Sequence, residues 1–143
     1  NMRNYKIYVK DALEMINRIE KVGINELDNK VNWDATLMRL QVIGESVKKI
    51  PRQIKKKHSG IKWEKFENLR NIISHDYTKV LPELIIDIIK NEIPELKSKL
   101  KLIEEEQENE EKRTSYNFYY NCNCNSFSYF IIFISLKILV KFF

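Results

Sequence analysis

Apolar residues recur through the first hundred positions at steps of three and four, the spacing that gathers side chains onto one face of an α-helix. From Tyr5 onward, Tyr8, Val9, Ala12, Ile16 and Ile19 form one such stripe, and Gly23 supplies its stop. A second stripe, Leu37, Leu40, Gly44 and Val47, predicts a helix capped by Asn32 or Asp34 and closed by Pro51. Glycine inside a helix costs about 1 kcal/mol relative to alanine, so Gly44 marks either a close approach of another backbone or a tolerated defect. After a turn at Ser59 and Gly60, Trp63, Phe66, Leu69 and Ile73 keep the helical period as far as the segment that contains His75. Pro82 suits the first turn of a fourth helix through Leu84, Ile85, Ile88 and Ile89, and Pro94 similarly opens a fifth through Leu96, Leu100 and Ile103. No stretch reads convincingly as a strand. Short connections make sequential helices neighbours in space, so the expected fold is all-α, an up-and-down bundle of about five helices.

The helical pattern defines a domain over residues 1–112, large enough to bury a core without disulfides or metals. Residues 113–143 read as a separate tail: acids vanish, Asn, Ser, Tyr and Phe dominate, and Lys137 and Lys141 are its only charges beyond Arg113. The segment from Phe127 to Phe143 is apolar, but its length lies at the lower limit of about 17 residues for a membrane span and it carries both lysines, so no span is expected. AT-rich codons encode its common residues, which suggests a shifted or extended reading frame.

Cys122 and Cys124 are too close together for an ordinary disulfide and too few for a structural zinc site. With no secretory pattern at the N-terminus, the expected location is the reducing cytoplasm. The net charge of +5 is a modest pull on polyanions, yet its distribution is uneven. Lys48, Lys49, Arg52, Lys55, Lys56 and Lys57 crowd one stretch, while Glu104, Glu105, Glu106, Glu108, Glu110 and Glu111 crowd another. Such runs are ordinarily solvated helix faces, and the basic one is also a candidate for phosphate contact.

Within Arg70, Asn71, Ile72, Ile73, Ser74, His75, Asp76 and Tyr77 stand a fixed cation, an imidazole and a phenol. Histidine exchanges protons near neutral pH, and arginine grips phosphate oxygens through two donors with a charge that does not titrate away. Those are the groups that RNA cleavage without a metal requires. Five helical steps, however, separate Arg70 from His75 by about 140° around the axis. Either the helix ends near Ser74 and turns His75 back, or two subunits pool their residues across a two-fold axis, which is the favoured arrangement. On the residues alone, Arg70 pairing with Glu67 or Glu64, His75 closing a helix and Tyr77 packing are the preferred account of the segment.

The arrangement Arg-x4-His-x-Tyr, with Asn71 as polar neighbour, resembles the signature of the HepT-like HEPN family of toxin ribonucleases. Leu40 to Pro51, reading LQVIGESVKKIP, is similar to that family's Ile-Gly-Glu-Ala segment and Lys-rich turn, and Ile61, Lys62 and Trp63 resemble its approach to the motif. The likeness covers roughly residues 2 to 105. It implies a homodimeric, metal-independent endoribonuclease that needs no cofactor, with Arg70 and His75 catalytic and Asn71 and Glu45 auxiliary. RNA, transfer RNA among its forms, is the implied substrate, with Arg39, Lys48, Lys49, Arg52, Lys55 and Lys56 as RNA-binding candidates. The implied partner is a minimal nucleotidyltransferase antitoxin of the MntA type, which would attach AMP to Tyr77. The competing expectation is a non-catalytic helical adaptor for such a nucleotidyltransferase.

Overall fold

Val9, Ala12, Leu13, Ile16 and Ile19 are the buried positions of helix α1 (Tyr5–Val22), which is the stripe that the spacing predicts. We describe a computed structural model, which places residues 5–75 and 80–121. Gly23 ends α1 in the left-handed region at φ 76, a conformation that costs glycine nothing. A single 3-10 turn, Ile24–Glu26, follows.

Helix α2 (Lys30–Lys49) begins earlier than expected. Its cap is Asn29, whose side chain accepts from the backbone N–H groups of Val31 at 2.9 Å and Asn32 at 3.3 Å. Asn32, an expected cap, instead donates through its side-chain amide to the Glu26 carbonyl at 3.1 Å. Asp34 lies inside the helix. Three short polar side chains within six positions all suit a cap, and the pattern of apolar residues does not discriminate among them.

Pro51 separates α2 from a short helix that the spacing does not reveal, α3 (Arg52–Lys57). Ile54 is its lone apolar residue, too little for a stripe. Trp63 fastens this helix: its indole N–H is shared between the carbonyls of Lys55 at 3.2 Å and His58 at 3.1 Å, two of the groups that a helix end leaves without internal partners. Helix α4 (Trp63–His75) buries Trp63, Phe66, Leu69 and Ile73.

Pro82 opens α5 (Pro82–Asp87) as expected, but Pro94 does not open a separate helix. One π-helical turn, Ile88–Glu92, carries α5 straight into α6 (Ile93–Asn121), and the Ile93 N–H donates to Ile88 O, five residues back. Proline within a helix lacks a donor and crowds the carbonyl four residues earlier. The wider turn just before Pro94 relieves that crowding, so the residue read as a start is accommodated inside a continuous helical run.

Six α-helices are thus present among the described residues, and no strand. Helix α2 packs against both α1 and α4. Leu37, Leu40, Ile43 and Val47 of α2 belong, with Ile85, Ile88, Ile93, Leu96, Leu100 and Ile103, to one buried cluster. The bundle belongs to a unit that ends at Glu108; from Asn109 the chain forms a second unit, described only as the continuation of α6. Among the described residues no helix is long and apolar enough to cross a membrane, and the segment from Phe127 to Phe143, like Cys122 and Cys124, lies outside them.

Candidate functional site

Arg70 sits where α4 crosses Gly44 of α2. A Cβ on Gly44 would lie 2.4 Å from Arg70 Cβ and 2.6 Å from Phe66 O, so the glycine marks a close backbone approach and not a tolerated defect. Two polar contacts flank the crossing. Gln41 Nε2 donates to Ser74 Oγ at 3.0 Å, and Arg70 Nη2 lies 3.2 Å from Glu45 Oε2. Gln41 and Glu45 are one turn apart on α2, as are Arg70 and Ser74 on α4, so antiparallel packing of the two helices makes both contacts at once.

Arg70 is held without being satisfied. Its Nη1 donates to Asn71 Oδ1 at 3.1 Å, but its buried Nε has no acceptor. Glu45 Oε2 is near enough for an ion pair yet off the hydrogen-bonding angle, and it too has no hydrogen-bond donor. The vacant Nε is itself buried, so it is the remainder of the guanidinium, on a side chain 28 % exposed, that a phosphate oxygen can engage. Glu45 also reaches Lys49 at 3.5 Å, and the Lys49 ammonium stands 5.3 Å from the centre of the Tyr8 ring. Pairing of Arg70 with Glu67 or Glu64 does not occur: Glu67 is taken by Lys55 at 2.5 Å, and the acid beside Arg70 comes from α2.

His75 is exposed, and α4 remains helical through it. The chain therefore does not turn back near Ser74, and the offset of about 140° stands. Arg70 faces α2, whereas His75 continues the exposed face of α4 that carries Asn68 and Asn71. One protomer does not bring the two together. Tyr77 lies outside the described residues.

The basic candidates separate into groups. Lys48, Arg52, Lys55 and Lys56 line one groove between α3, α4 and α5. Lys49 belongs with Glu45 and Tyr8. Arg39, five residues before Gly44 and so about 140° around α2 from it, lies on the flank away from Arg70, with Nη1 buried and unpartnered. Gln41 and Ser74 were not among the candidates; their one-turn spacing from Glu45 and Arg70 was the available signal.

Three carboxyl groups stand clearly below the usual carboxylate range. Glu92 is lowered chiefly by the hydrogen bond from Lys65, Glu95 by that from Lys99, and Glu106 by that from Lys57, with His58 Nε2 at 3.2 Å also favouring the Glu106 anion. All three are on the π turn or α6, apart from Arg70. Among the described residues no group of three His, Cys, Asp or Glu side chains is placed to hold a metal ion.

The all-helical architecture is that of a HEPN-like bundle. The family profile described as "Ribonuclease HepT-like" matches residues 9–103, and the chain belongs to that family. It is 30 % identical over 108 residues to a protein of Thermococcus cleftensis named probable ribonuclease HepT, covering 72 % of this chain and 98 % of that one. Over 107 residues it is 29 % identical to a candidate RNase of Caldanaerobacter subterraneus, covering 71 % of this chain and 96 % of the relative. A protein of Methanocaldococcus jannaschii, named a gamma-glutamylcyclotransferase and candidate RNase, is 32 % identical over 109 residues, 72 % of this chain, and the match spans about half of its length, 49 %. No solved structure matches the chain.

Proposed function

We propose that the protein is an endoribonuclease toxin whose two active sites each combine Arg70 of one protomer with His75 of the other. The observation that carries this reading is the incompletely satisfied Arg70, fixed over Gly44 beside Glu45, in a chain of a ribonuclease family. In the reaction, a base takes the proton of the ribose 2′-hydroxyl, the 2′-oxygen attacks phosphorus, and the 5′-oxygen leaves with a proton returned to it. In this reading His75 moves these protons, and Arg70 neutralises the added charge on the phosphorane. The products are a 2′,3′-cyclic phosphate and a 5′-hydroxyl. Asn71 and Glu45 orient the guanidinium.

Silencing would fall on Tyr77: its phenol oxygen attacks the α-phosphorus of ATP on an MntA-type nucleotidyltransferase, pyrophosphate leaves, and AMP remains. That adds bulk and negative charge beside the cation that grips RNA. Transfer RNA is the proposed target and the cytoplasm the proposed location.

The test is direct. Purified protein should degrade RNA in the presence of EDTA and leave cyclic phosphate ends, and His75→Ala or Arg70→Ala should lower the rate by at least about a hundredfold. Activity that survives both substitutions ends this reading, whereas RNA binding without any cleavage by the wild-type protein would favour a helical adaptor.

A further inference from the structure

Facing away from α2, α4 presents a second surface. Its Glu64, Asn68 and Ile72 look across an open groove toward α3 and α5, and the rim carries six cations: Lys48, Arg52, Lys55, Lys56, Lys62 and Lys65. Only two acids, Glu64 and Glu67, join them in the lining. Three of the six cations are ion-paired, Lys55 with Glu67 and both Lys62 and Lys65 with the single Glu92 carboxylate. The other three, Lys48, Arg52 and Lys56, are exposed and make no ion pair among the described residues.

Two of the three, Arg52 and Lys56, are placed where elementary electrostatics disfavours them, whereas Lys48 stands in the last turn of α2, where the dipole favours a cation. Arg52 and Lys56 are one turn apart on α3, and like charges at that spacing repel. Arg52 also occupies the first position of α3, the end at which the helix dipole disfavours a cation. A polyanion laid along the groove relieves both penalties.

The floor excludes the other obvious occupant. Of the apolar lining residues only Ile72, at 44 % exposure, and Leu84, at 38 %, reach the surface, which is too little to hold the apolar face of a partner helix. Among the described residues the sole aromatic ring in the lining, Trp63, is buried and engaged with α3, so it does not stack on a base. Charge without stacking recognises a backbone and not a sequence.

The groove also has a destination. His75 follows Asn68 by seven residues, two turns on the same face of α4 and about 10 Å along its axis, whereas Arg70 lies on the other flank. We propose that the groove seats the RNA sugar–phosphate backbone independently of sequence, through Lys48, Arg52 and Lys56, and leads the strand to His75 of the same protomer. This rests on the ribonuclease reading above.

Binding of a 2′-O-methyl RNA oligonucleotide, which has no 2′-hydroxyl to attack, separates seating from cleavage. The full chain carrying Lys48→Gln, Arg52→Gln and Lys56→Gln should lose about three phosphate contacts, making the slope of log affinity against log salt shallower by about 2 and weakening binding roughly a hundredfold at 0.1 M salt. A control chain with Lys21→Gln, Lys30→Gln and Lys101→Gln should bind as the wild type does, and Lys48→Arg with Lys56→Arg should retain affinity. Equal losses in both triple variants, or none in the groove triple, overturns the proposal; in the latter case the groove is free for an acidic protein partner. His75→Ala should bind the oligonucleotide normally, so a failure of His75 in catalysis leaves this measurement intact.

Discussion

Gly44 leaves no space for a methyl group. Its two nearest neighbours include a backbone carbonyl, Phe66 O, which cannot swing aside as the end of a side chain can. Gly44→Ala therefore sets a helix-propensity gain of about 1 kcal/mol against an overpacking cost of about 1–3 kcal/mol that α2 and α4 relieve only by separating. We expect a net loss of up to about 2 kcal/mol in urea unfolding, with RNA cleavage lowered because Arg70 moves with α4. An unchanged midpoint would show that the two helices have room to part. At this scale the sequence was informative about identity and poor about partnership. The glycine was conspicuous inside an apolar stripe, but the acid beside Arg70 comes from twenty-five residues upstream, which local charge patterning cannot reveal. Gln41 and Ser74 are ordinary surface types whose meaning appears only when the helices are laid together.

Among the elements, the long helical run from Pro82 to Asn121 is fastened to α4 and its approach through Glu92. Its carboxylate, 12 % exposed, takes a hydrogen bond from Lys65 at 2.7 Å and one from Lys62 at 3.4 Å. Those contacts hold its pKa below 4.5, so between the two values the unfolded chain binds more protons than the folded one. The stabilisation is complete above the unfolded value and fades as pH falls through the folded one. Glu92→Gln should accordingly cost on the order of 1 kcal/mol near neutral pH and nothing in strong acid, read from chemical unfolding at a series of pH values. A deficit that persists undiminished in acid would assign the loss to packing. Helix identity was legible because the stripes of α1, α2, α4 and α6 are long; α3, with one apolar residue, and the π turn, which keeps an apolar face while changing the winding, were not. Pro94 misled for a physical reason, since a proline that starts a helix and one excused by a widened turn look alike in sequence.

For the whole molecule, the separation of Arg70 and His75 on different flanks of one helix bears on assembly. If each site draws its arginine from one protomer and its histidine from the other, a mixed dimer of Arg70→Ala and His75→Ala chains contains one complete site. Co-expressed in equal amounts, the two inactive variants should recover about a quarter of wild-type activity by random pairing. No recovery would place both groups in the same chain and require α4 to unwind at His75.

The π turn at Ile88–Glu92 has a consequence for divergence within the lineage. It houses one amino acid more than regular winding would, so a single-codon deletion there would tighten it and rotate everything upstream by about 100°. Leu84 would swing into the interior berth that Ile85 now fills, and the cationic channel would lose one wall. Homologues differing by one residue at this point should thus share a core and differ in the face they offer to nucleic acid.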